Sequence, residues 1–146
     1  MIRPRPQRIA PPVAPGTLLK RIVPAVPRVR VKREGERDPD HLACIRTLPC
    51  LSCGMEPSEA AHIRYASAAY GKASGLGKKP ADRFCCPLCA DCHRLARHAQ
   101  HNRGEQAFWA DLGINPLIAA ERLYAQTGDL VAMRAVVFVT IAERGK

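Results

Sequence analysis

Seven cysteines and five histidines hold most of the reactive chemistry of this 146-residue chain. Cys50-Leu-Ser-Cys53 and Cys89-Ala-Asp-Cys92 are two CxxC pairs. A two-residue gap lets both thiolates of a turn face one ion, and two such turns complete a tetrahedral Zn²⁺ site. The start, MIRPRPQR, is basic but runs into Pro-rich sequence rather than an apolar segment. That pattern points to the cytoplasm, where thiols serve metals or redox chemistry before disulfides. A thioredoxin-like use of Cys50 and Cys53 would need a βαβ pattern around them, and none is visible. Cys86-Pro-Leu-Cys89 offers a second register for the latter pair. Cys89 with Cys92 is preferred, because Cys86 falls in an expected strand and Cys92 directly precedes His93. Cys44, Cys85 and Cys86 then read as small buried apolar residues.

Residues 54–88 separate the two pairs, a longer interval than the roughly 15–20 residues of a simple zinc ribbon. The interval contains His62, Arg64, a basic Gly-rich loop with Lys72, Lys78 and Lys79, and Asp82. Structural zinc needs neither His62 nor His93. A hairpin pinned by zinc and followed by a helix can set one imidazole on the first strand and one on the helix, across a single cleft. Hydrolysis of a phosphodiester asks for a base titrating near neutrality, a cation on the developing charge, and basic groups on flanking phosphates. Imidazole supplies the first, and Arg64, Lys72, Lys78 and Lys79 suit the last.

The elements that must position these groups follow from local signals. Asp38-Pro39-Asp40 opens a short helix that ends before Pro49. Glu59 to Tyr65 and Asp82 to Leu88 read as the strands of a hairpin with a long connection, residues 66–80. Ala90 to about Arg97 has helical character, broken at His101-Asn-Arg-Gly104. EQAFWADL is a short helix stopped by Gly113, with Phe108 and Trp109 in the core rather than stacking on bases. Asn115-Pro116 caps a further helix to Gln126. The last segment, 129–144, has helical spacing at Leu130, Met133, Val136, Val137 and Ile141, although its Val-Val-Phe-Val run also suits a strand. The sum is an α+β fold.

HLACIRTLPCLSCG, EAAHIR, GKKPADR, PLCADCHR and QAFWADLGINP together resemble the HNH endonucleases with a ββα-metal core, and within them phage and prophage nucleases of the recombination-enhancement, RecA-dependent type. The resemblance spans about residues 40–125. It implies a zinc-bound core, His62 as the base that activates water, His93 as a ligand of a catalytic divalent metal, and Asp82 as the group that orients His62. Many such enzymes carry a metal-binding Asp or His just before the base, where this chain has Ala61. His101 is the expected replacement ligand, with Asp82 as the alternative. Eight residues of unbroken helix would hold His93 and His101 about 12 Å apart, so a fold-back at Asn102–Gly104 is required. His98 reads as a surface residue. Mg²⁺ or Mn²⁺ suits Asp82 and water, whereas two imidazoles also suit Zn²⁺ or Ni²⁺.

Charge points to the same class of partner. The formal net charge is +10. Ten Lys or Arg against two Glu lie in residues 1–37, and 13 basic against 11 acidic residues lie in 38–146. The first segment is thus a basic, Pro-rich tail expected to be disordered, ahead of one domain at 38–146. A polyanion, most simply DNA, is the expected partner, and the resemblance adds a recombinase filament. No run is long and apolar enough for a membrane span. Two function classes result: a metal-dependent DNA endonuclease, and a zinc-binding DNA-binding or adaptor module without catalysis.

Overall fold

A computed structural model describes residues 36–73 and 79–144. The expectations for residues 1–35, and Lys78, lie outside them. The described residues belong to one compact unit. It is a mixed α+β fold with a two-stranded antiparallel sheet, β1 (Glu59–His62) and β2 (Cys85–Leu88), and five α-helices among the described residues. Helix α1 is Pro39–Arg46, α2 Gln100–Arg103, α3 Glu105–Leu112, α4 Pro116–Ala125 and α5 Leu130–Ala142.

Local chemistry explains most boundaries. The Asp38 carboxylate accepts the His41 N–H at 2.9 Å and Pro39 opens α1, so an orphan donor of the first turn is satisfied. Asn115 caps α4 in the same way, accepting from Leu117 and Ile118. Asp129 caps α5 through Ala132. Gly113 stops α3 with φ 64°, a left-handed angle that glycine adopts without a Cβ penalty. The Val-rich last segment is helix and not strand. It buries Met133, Val137 and Thr140, the i, i+4, i+7 face of a helix.

Both strands are shorter than the sequence pattern suggests. β1 stops at His62 because the Arg64 N–H turns to the Glu105 carboxylate, 3.0 Å from each oxygen, instead of to a partner strand. β2 begins only at Cys85, since Phe84 N–H closes a turn on Ala81 O at 3.0 Å. The register pairs Glu59 with Leu88 and His62 with Cys85. Helix α1 packs on both strands, and α4 packs on β2 and α5. The core between them holds Ile45, Leu48, Leu51, Ile63, Leu88, Trp109, Leu123 and Met133.

The expected helix 90–97 is a single π-helical turn, Asp91–Leu95, closed by Ala96 N–H on Asp91 O at 3.0 Å. The chain doubles back at Ala96–Ala99, ahead of His101, and not at Asn102–Gly104 as expected. The Asn102 side-chain amide donates to Arg94 O at 3.3 Å and Ala96 O at 2.8 Å. It thereby takes carbonyls that a continuing helix would need for its own ladder. No helix among the described residues is long and apolar enough to cross a membrane.

Candidate metal centre and active site

The four thiols Cys50, Cys53, Cys89 and Cys92 converge, with all their sulfurs within 4.8 Å of one another. The Cys53 and Cys89 sulfurs are 3.5 Å apart, close to the edge of roughly 3.8 Å expected when four sulfurs sit about 2.3 Å from one Zn²⁺. The first turn is shaped by Gly54 N–H on Cys50 O at 2.8 Å, with Gly54 at φ 77°. Ser52 N–H points at the Cys50 sulfur, 3.3 Å away. The second turn leaves β2 directly, and His93 N–H bonds Cys89 O at 2.8 Å. A structural zinc fits this donor set. The rival register fails, because the Cys86 thiol is fully buried and donates to Pro116 O.

The histidines gather beyond β1. His62 Nε2 lies 2.9 Å from Asp82 Oδ1, with His62 17% and Asp82 6% exposed. The other Asp82 oxygen accepts the Asp38 N–H at 3.0 Å. Burial works to raise the Asp82 carboxyl, but the bonds from His62 and Asp38 and the nearby charge of Lys79 hold it below the usual carboxylate range. An ionised carboxylate at that distance accepts Nε2–H and leaves Nδ1 of His62 as the basic nitrogen. Both Asp82 oxygens are engaged, which fits an orienting role better than that of a metal ligand.

His93 has a partner that the sequence pattern did not reveal. Its Nδ1 is 2.7 Å from Glu59 Oε2, and Arg94 closes on the same carboxylate at 2.9 to 3.2 Å. The Arg94 bond, aided by His93, holds Glu59 down to about 2. Glu59 therefore fixes His93 with Nε2 as its free donor atom, as carboxylates do behind metal-bound imidazoles. The signal was the pairing of Glu59 with Leu88, one residue before Cys89, and that register is a tertiary fact. The fold-back brings the His101 ring to 4.5 Å from the His93 ring. Burial, with the charges of His93 and Arg64, lowers the His101 pKa.

His62, Arg64, Gln100, His101, Gly104 and Glu105 line one cleft of about 180 Å³. His101 lines this cleft, and its ring meets that of His93 from outside the lining, so these two imidazoles are the candidate donors to a second cation. Among the described residues no third His, Cys, Asp or Glu joins them, and the four cysteines are the single convergent set of three or more. Two nitrogens suit Zn²⁺, Ni²⁺ or Mn²⁺ completed by oxygen ligands, and suit Mg²⁺ less well.

Of the expected phosphate contacts, Arg64 is exposed at the cleft and Lys79 is exposed near Asp82. Lys72 is a correction. It is 5% exposed, and its ammonium donates to Tyr65 O at 2.6 Å beside the Phe84 ring. Its charge braces the loop. His98 is exposed, and Phe108 and Trp109 are buried, as expected. No protein-family model, curated protein or solved structure matches this chain.

Proposed function

We propose that this protein is a metal-dependent endonuclease of the HNH type that hydrolyses phosphodiester bonds of DNA. The observation that carries the reading is the His62–Asp82 pair at 2.9 Å, opening on the same cleft as Arg64 and His101. In this reading Asp82 holds the His62 ring and fixes its tautomer. His62 Nδ1 takes the proton of the attacking water, and Arg64 and Lys79 hold phosphate oxygens beside the bond that breaks. His93, backed by Glu59, and His101 would hold a divalent cation, which supplies positive charge for the phosphorane and the leaving oxygen. The four-cysteine centre ties the loop ahead of β1 to the turn that carries His93, so zinc positions the cleft without entering the chemistry. The cytoplasm, a phage origin and a recombinase filament as partner belong to the same proposal and rest on the sequence resemblance.

The test is nicking of supercoiled plasmid by the purified chain in Mg²⁺, Mn²⁺, Ni²⁺ or Zn²⁺. Parent protein should nick in at least one metal, and His62→Ala should lose the activity while keeping its zinc and its fold. One observation favours the second reading, a zinc-stabilised DNA-binding or adaptor module: among the described residues only the cysteines converge as a complete ligand set. DNA binding without cleavage in every metal would establish that reading and retire the first.

A further inference from the structure

A second concavity begins where the catalytic cleft ends. Arg64 and Glu105 line the cleft, and the next residue after each, Tyr65 and Gln106, lines a groove of about 490 Å³. The Arg64 N–H bonded to both Glu105 oxygens is the partition between them. The groove is lined by Tyr65, Tyr70, Trp109, Ala110 and Ile114, among others. None of the described residues lining it is charged, in contrast to the cleft. Trp109 is 2% exposed, and its buried indole N–H has no hydrogen-bond partner among the described residues.

We propose that this groove binds one unstacked nucleobase of the strand whose phosphate occupies the catalytic cleft. The inference rests on the nucleic-acid reading above and deepens it. A flat, neutral heteroaromatic ring suits an uncharged groove lined by Tyr65, Tyr70 and an edge of Trp109. Gln106 adds an amide that both donates and accepts. The described lining residues carry no charge that would favour a phosphate there. The step from cleft to groove is one residue on each wall, as base and phosphate are adjacent within one nucleotide. A base in intact duplex is stacked and cannot enter, so the site selects single-stranded, frayed or flipped substrate.

Trp109 is the sole tryptophan and reports on the groove directly. The full-length, zinc-loaded protein is titrated without added divalent metal against an oligothymidylate of about eight nucleotides, within the span of one single-strand binding site. The same titration is run with an abasic strand of equal length and with an uncharged apolar peptide of similar length. The proposal expects the oligothymidylate to shift Trp109 emission and to bind about tenfold or more tighter than the abasic strand, the size of one base–aromatic stack. Ala110→Leu fills the groove from an exposed helical position and should reduce oligothymidylate to the abasic level. Tyr65→Leu, checked for unchanged melting temperature, should do the same. Equal affinity for the two strands, or a peptide that shifts the emission while the oligonucleotide does not, overturns the base site. Cleavage alongside equal binding would remove the groove and keep the nuclease. Base-dependent binding without cleavage in any metal would remove the nuclease and keep the groove.

Discussion

At the scale of single residues, the decisive contacts are carboxylates behind histidines. Asp82 accepts from His62 at 2.9 Å, so Asp82→Asn presents an amide to Nε2 and unsettles the tautomer. Single-turnover nicking should slow by about 10²–10⁴-fold, the usual worth of a positioned base, with zinc content unchanged. A variant that nicks like its parent would remove Asp82 from the mechanism. Lys72 makes the opposite case. Lys72→Met leaves Tyr65 O without its partner and should cost about 1–3 kcal/mol of stability, while the salt dependence of DNA binding stays the same. A changed salt slope would return Lys72 to the phosphate contacts. His41, fully buried and bonded to Thr127 Oγ1 at 2.7 Å, predicts a pH effect. Burial lowers its pKa against the pull of Asp38 and Asp82. Between the lowered value and the unfolded one of about 6.5, the unfolded chain binds the extra proton. Stability from this group is therefore complete above about pH 6.5 and is lost as pH falls toward the folded value. Denaturant unfolding at about pH 7.5 and about pH 5.5, on either side of that unfolded value, should show a larger drop in the parent than in His41→Gln.

At the scale of elements, the fold-back between the π-helical turn and α2 decides whether two histidines meet. Asn102 holds it through two carbonyls, and neither bond involves a histidine ring. Asn102→Ala should free α2 and weaken divalent-metal binding in step with His101→Ala, and metal titration of both variants checks this. If Asn102→Ala binds metal and nicks like the parent, the fold-back is held by other groups. The cysteine turns act on the same segment from its other end. Cys53→Ser should release zinc and unfold the domain, because metal binding in such a site is folding free energy. Unchanged melting and full metal content in that variant would refute the structural zinc.

At the scale of the whole molecule, charge sets how the chain finds a polyanion. Residues 1–33 carry nine Lys or Arg and no acidic residue. Glu36 belongs with the body, since its carbonyl accepts the Asp82 N–H at 3.0 Å, so the truncation that tests the tail ends at Arg33. Removing 1–33 should weaken DNA binding and flatten its dependence on salt by about 0.9 in logarithmic slope for each phosphate that the tail had neutralised. Nicking at low salt should persist. An unchanged slope would show that these residues touch no phosphate.

Spacing pointed to a four-cysteine centre, because a CxxC turn is local, and the fold chose Cys89 with Cys92 over Cys86 with Cys89. Caps and stops were legible for the same reason. Asp38, Asn115 and Gly113 act on their own first or last turn. The tertiary structure decided what depends on register and on competition for backbone groups. The pairing of Glu59 with Leu88 put a carboxylate behind His93. The Glu105 carboxylate ended β1 and split the cleft from the aromatic groove. Asn102 moved the fold-back ahead of His101, and burial turned Lys72 from a free cation into a brace. In each case the partner lies far along the chain or on another element, and a short pattern holds no record of which distant group reaches a backbone amide first.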